Sequence, residues 1–240
     1  MDIDNGGEIQ DELDLTIYEN SEELIEVVIE DIFAAVDFGL IEKGRFDLVL
    51  TGGTLGCAIS KEIVTRINAH PEMYAGLHIW WSDERFVDAD SNERNALPFH
   101  NKVTNKYVSV HEALAPNSPA SIEEAVADYD AALSGVAIDL NILGVGPDGH
   151  VASLFPGIAD YGDMRRIFAI TDSPKPPASR ISFTMSFINQ AREVWLVASG
   201  ESKSDAVASI IEGDISIPAS YVAGLERTRL IVDQPAFMGD

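Results

Sequence analysis

Short apolar runs alternate with amphipathic stretches along this 240-residue chain, and most of the runs stop at a glycine or a polar turn. That alternation constrains the fold more than any other feature. LTIYE (15–19), FDLVLT (46–51), LHIWWS (77–82), IDLNILGVG (138–146), EVWLVAS (193–199) and RLIVD (229–233) read as strands, the last closing the sheet. Helical spacing fills the gaps. Leu24, Ile25, Val28, Ile29, Ile32, Phe33 and Val36 follow an Asn20–Glu23 capping pattern and predict a helix to about Phe38, bracketed by Gly39 and Gly44. Further helices are expected from about Gly56 to Ala69, from near Ser91 and Asn92, over 121–134 behind a Ser121 cap, and from Gly200 to about Glu212. Residues 173–178 (SPKPPA) read as a loop, because strand-like ISFT follows at once. Strand–helix alternation of this kind predicts an α/β fold with a mostly parallel, doubly wound sheet. No repeat or linker divides it, so residues 13–240 are expected to form a single domain behind an acidic tail, residues 1–12.

Doubly wound sheets bind ligands outside the carboxyl ends of their strands. Four turns should therefore share one rim: TGGTLG (51–56), SDER (82–85), GVGPDGH (144–150) and SGESK (199–203). In the first, Gly52 and Gly53 let the backbone approach an anion, Thr54 offers a hydroxyl, and a following helix adds free N–H donors. A tight structural turn is the rival reading. In the third, a strand and a rigid turn deliver His150 to the rim, where an imidazole can serve as a general base oriented by Asp148. The rival is that Asp148 caps a short helix and His150 is incidental. Arg85 stands at a strand end, able to fork onto a phosphate or carboxylate, or to pair with Asp83 or Glu84. Lys203 falls in a helix's first turn, against the helix dipole, which suggests a shared anion; a plain surface lysine is the alternative.

Composition removes other classes. Sixteen Lys and Arg against 40 Asp and Glu leave a net charge of −24, wrong for a nucleic-acid binder or an anionic membrane surface. Fourteen of the acidic residues, and no basic ones, precede Lys43. A single cysteine, Cys57, excludes an internal disulfide and a multi-cysteine zinc site, and its place in an apolar helix makes it a core residue rather than a nucleophile. Asp88, Asp90 and Asn92 mimic a calcium loop, but Glu93 takes the glycine position and Phe99 the final glutamate position. No G-x-S-x-G elbow and no motif for NAD, flavin or pyridoxal phosphate occurs, and His70 and His78 lack metal-ligand spacing. Trp80 and Trp81 should serve as core and rim cover. The start MDIDNGGE has no basic and then apolar segment, and no run of ~18 apolar residues exists, so a cytoplasmic protein is expected.

The strings LVLTGGT, HIWWSDERFVDADSNERNA, LNILGVGPDGHVASLFPG and VASGESK resemble, in order from about Thr16 to Val232, the 6-phosphogluconolactonase family. The resemblance implies a Rossmann-like fold shared with glucosamine-6-phosphate deaminases. It also implies metal-free and cofactor-free hydrolysis of a sugar-phosphate lactone, 6-phospho-D-glucono-1,5-lactone, in the oxidative pentose phosphate pathway. His150 falls on the family's proposed base, Gly52, Gly53 and Thr54 on its phosphate loop, and Arg85, Lys203 and Arg180 on its basic partners. The loop departs from the family's Gly-Gly-Ser-Thr-Pro: Thr54 keeps the first hydroxyl, while the second hydroxyl and the proline are absent. A deaminase or isomerase of the same fold is the alternative enzyme; it would carry a glutamate before proline, where this chain has Ser153-Leu154-Phe155-Pro156. A non-catalytic sugar-phosphate sensor is the alternative outside enzymes, and a monomer is favoured over an assembly.

Overall fold

The computed structural model describes residues 13–116 and 121–239. The acidic tail, residues 1–12, lies outside the described residues. Among the described residues, ten strands and six α-helices follow in the order β1 (Asp14–Tyr18), α1 (Ser21–Lys43), β2 (Phe46–Leu50), α2 (Gly53–Ala69), β3 (Leu77–Trp81), β4 (Asp83–Arg85), β5 (Ser109–Val110), α3 (Ile122–Ala132), β6 (Leu140–Gly144), β7 (Ile167–Ile170), β8 (Arg180–Phe183), α4 (Met185–Ile188), β9 (Glu193–Ala198), α5 (Ser204–Glu212), β10 (Arg227–Asp233) and α6 (Gln234–Met238).

Seven strands form one sheet in the order β1-β10-β9-β6-β2-β3-β5, with every neighbouring pair parallel. Period-two alternation sends side chains to two separate cores. Phe46, Leu48, Leu50, Ile79, Trp81, Ile142 and Trp195 pack on the face that α1 and α2 cover. Val49, Trp80, Leu143, Val194, Leu196 and Leu230 pack with residues of α3 and α5 on the other. Trp80 and Trp81 are thus both core, and neither covers the rim. From β2 the chain runs outward to β3 and β5, then jumps back across β2 to β6. The order in which strands are added reverses between β2 and β6, which stay parallel, and the turns after those two strands meet at that switch point.

Three expectations need correction. RLIVD does not close the sheet, because β10 lies inside it and β1 forms the edge. The first helix runs past Gly39 to Lys43. That glycine exists for close packing, since a Cβ there would lie 2.4 Å from the Phe46 ring, and the helix stops at left-handed Gly44. No helix follows Ser91. Turns occupy that stretch, because buried Glu84 draws the N–H groups of Asn95 and Ala96 to its carboxylate, at 2.8 and 2.9 Å. Beside the expected parallel sheet, β4, β8 and β7 form a separate three-stranded antiparallel sheet.

Candidate active site

At the switch point the Gly144 N–H donates to Thr51 Oγ1, 3.1 Å away, and ties the end of β6 to the end of β2. Beyond Thr51, α2 begins at Gly53 with no side-chain cap on its first N–H groups, and Gly53 and Thr54 are exposed. The chain after β6 turns back on itself: the Gly149 N–H donates to the Gly146 carbonyl at 2.9 Å, and the Gly146 N–H to the His150 carbonyl at 2.8 Å. This turn sets the imidazole against Gly146, where a Cβ would lie 1.9 Å from His150 Nδ1 and 2.7 Å from Asp148 Oδ1. Only glycine leaves room for the pair.

His150 Nδ1 is 2.5 Å from Asp148 Oδ1, and its ring packs on Phe155 with centroids 4.8 Å apart. The Asp148 carboxylate therefore orients the imidazole; no helix follows it to cap. With the proton on Nδ1, where Asp148 accepts it, Nε2 carries a free lone pair. Burial lowers the His150 pKa, outweighing the Asp148 hydrogen bond that raises it. Burial by itself would raise the Asp148 pKa, but hydrogen bonds from His150 and Lys175 hold it down to about 2.

Lys175 joins this pair, with Nζ 3.0 Å from Asp148 Oδ1 and 3.1 Å from His150 Nδ1. Sequence reasoning missed it, because residues 173–178 carried no signal beyond proline. The residue that places it is Arg180. Arg180 is 4% exposed and donates to the carbonyls of Lys175, Pro176 and Pro177 at 2.9–3.1 Å. Its Nη1 also lies 3.9 Å from the buried Asp83 carboxylate. Expected on the phosphate, Arg180 instead commits these donors to holding the loop.

The SDER turn divides its labour. Asp83 accepts from Ser153 Oγ at 2.7 Å and from Asn95 Nδ2 at 3.0 Å. Burial raises the Glu84 pKa, opposed by Arg94 and three backbone N–H donors. Arg85 pairs with neither acid. Its Nη1 donates to the Glu93 carbonyl at 2.6 Å, and its charge acts on Arg180 and on Cys57. Burial raises the Cys57 thiol pKa, the opposite of what an attacking thiolate needs.

Lys203 ends the single 3-10 turn Glu201–Lys203 that runs directly into α5, so it stands in the first helical turn as expected. Its ammonium makes no hydrogen bond or ion pair among the described residues. Burial lowers its pKa, the nearby Lys175 charge lowers it further, and Asp148 opposes both. The rim thus joins an oriented imidazole to a half-buried cation without a partner. Among the described residues, no helix is long and apolar enough to cross a membrane.

This fold and rim place the chain in a known family. The family described as glucosamine-6-phosphate isomerases/6-phosphogluconolactonase matches residues 19–231, and the chain belongs to it. It is 32% identical over 239 residues to the 6-phosphogluconolactonase of Mycobacterium tuberculosis, covering 92% of this chain and 96% of that one. Identity to the Streptomyces coelicolor 6-phosphogluconolactonase is also 32%, over 92% of both chains. The crystal structure of 6-phosphogluconolactonase from Thermotoga maritima superposes with a TM-score of 0.76 at 24% identity, over 92% of this chain and all of that one.

Proposed function

We propose that this protein hydrolyses 6-phospho-D-glucono-1,5-lactone to 6-phospho-D-gluconate, the lactonase step of the oxidative pentose phosphate pathway. The observation that carries this reading is the Asp148–His150 pair at the sheet's switch point, with unpartnered Lys203 close enough for its charge to respond to Asp148. A δ-lactone is an activated ester, so an activated water is nucleophile enough. His150 Nε2 takes a proton as water attacks C1, and Asp148 stabilises the imidazolium that forms. The tetrahedral intermediate collapses with cleavage of the bond from C1 to the ring oxygen, and His150 returns the proton to that oxygen. The carboxylic acid and a free hydroxyl result, and the acid then gives its proton to solvent to become the carboxylate. Arg85 contributes positive charge at this rim for the developing oxyanion. Lys203 and the free N–H groups around Gly52, Gly53 and Thr54 hold the phosphate.

The deaminase alternative wants a glutamate before the proline; the stretch Ser153-Leu154-Phe155-Pro156 holds no carboxylate, and Phe155, the residue before that proline, packs on the His150 ring. Two assays test the choice. Acid release from freshly prepared 6-phosphogluconolactone should far exceed spontaneous hydrolysis, and glucosamine 6-phosphate should release no ammonia. Enzyme-independent lactone decay, or ammonia release, would overturn the assignment.

A further inference from the structure

Lys175 occupies an unusual place. Its Nζ reaches the same Asp148 oxygen that accepts from His150 Nδ1, and it stands 3.1 Å from that nitrogen. Arg180 fixes the loop backbone at Lys175, Pro176 and Pro177, while the Lys175 side chain stays 38% exposed and able to swing. Lys203 is near enough for the two ammonium charges to oppose each other. A phosphate dianion between two lysines relieves that opposition and is a stronger acceptor than a carboxylate oxygen already engaged by an imidazole.

We propose that Lys175 is a positioning residue that couples the substrate's phosphate to its base: in the empty site it pairs with Asp148 beside His150, and the arriving phosphate draws it toward Lys203, leaving Asp148 to His150 alone. The identity of the anion rests on the lactonase reading; the Lys–Asp–His triangle does not. The consequence follows from the charges around the ring. Asp148 comes from its own turn, Lys175 from the 173–178 loop, and Asp83 from β4, held by Arg180 from β8. Asp83 and Arg180 are buried and fixed, so Lys175 is the charge free to move. A cation beside the imidazole disfavours its protonated form, so removing the cation makes His150 a stronger base. A phosphorylated lactone would thereby strengthen the base that attacks it, and a lactone without phosphate would not.

Histidine titration by NMR on the full chain tests this without turnover, using Cε1-labelled histidine and His150→Gln to identify the signal. Sulfate is the probe, since it stays dianionic through the titration, with chloride at matched ionic strength as reference. In the wild type, sulfate should raise the His150 midpoint by roughly one pH unit. Lys175→Met should raise the midpoint by a similar amount in chloride and respond to sulfate less than half as much. Lys175→Arg should behave like the wild type, which guards against a merely structural effect. An unmoved midpoint in Lys175→Met, no sulfate shift in the wild type, or an equal sulfate shift in both would overturn the coupling. A midpoint that moves in a protein without lactonase activity would remove the functional reading and keep this one; the converse pattern would do the reverse.

Discussion

Both ends of the parallel sheet gather histidines, carboxylates and cations. At the amino end a cavity of about 600 Å³ is lined by Lys43, Arg45, Asp47, His78, His111 and Asp139, among others. There Lys43 pairs with Asp139, and Arg45 forks onto Asp47 at 2.6 and 2.9 Å. His78 Nδ1 meets His111 Nε2 at 2.9 Å, and His111 stacks on Trp80 with ring centroids 3.7 Å apart. Each of those cations already has its carboxylate. At the carboxyl end Lys203 has none, and Lys175 must share an oxygen with His150. Helix orientation widens the difference. The uncapped start of α2 faces the carboxyl rim, whereas the end of α3 leads into the amino-end cavity through Ser134–Ala137. At the carboxyl rim an anionic substrate of a −24 protein finds in Lys203 a half-buried cation to which, among the described residues, no carboxylate is paired.

The sharpest break in this contrast is Gly146→Ala. Its Cβ would displace the His150 ring, whose Nδ1 lies only 1.9 Å from the Cβ position, and the three atoms it would crowd most all belong to His150 and Asp148. We expect kcat to fall by ~10²–10⁴ with the fold intact; near-normal turnover in a folded variant would show that the His150 position is not needed. Next in size is Lys203→Ala. Losing a charge-assisted contact costs ~1.5–3 kcal/mol, or roughly ten- to hundredfold in kcat/KM on the phosphorylated lactone. Glucono-1,5-lactone should scarcely notice the change, and equal losses on both substrates would move Lys203 off the phosphate.

The amino end should report on stability instead. Burial, followed by the neighbouring His78, pushes the His111 pKa to about 4. Its unfolded value is ~6.5, so between these limits the unfolded chain binds more protons. The stability associated with neutral His111 is therefore full above pH ~6.5 and is lost as pH falls toward 4. His111→Phe should blunt the loss measured by urea melts between pH 7.5 and 5 by roughly 1 kcal/mol. An unchanged pH dependence would remove His111 from the account. The smallest effect is expected from deleting residues 1–12: kcat/KM should hold at ~0.15 M salt, where screening acts over ~8 Å, and a several-fold change would bring the tail to the site.

What could be read from the sequence follows the range of the interactions. Asp148 and His150 stand two residues apart in one turn, so their pairing is local and legible. The turns after β2 and β6 were placed on one rim by strand direction alone. Lys175 was not legible, because its position depends on Arg180 and the buried Asp83, brought together only by the antiparallel pairing of β4 with β8. Arg180 came from the family resemblance alone, and its grip on the 173–178 loop depends on the same non-local pairing. The turns after Asp88 escaped for a similar reason, since Glu84 collects backbone donors eleven and twelve residues away.

The central claim is that the imidazole doing chemistry sits at the carboxyl rim, while the histidine pair in the amino-end cavity is structural. Steady-state turnover of fresh 6-phosphogluconolactone by His150→Ala and His111→Ala, measured side by side at pH 7.5 and normalised to folded protein, decides it. The account predicts a kcat loss of ~10²–10⁴ for His150→Ala and a change within about twofold for His111→Ala. A His150→Ala enzyme keeping more than half of wild-type kcat, or a comparable collapse in His111→Ala, would contradict it.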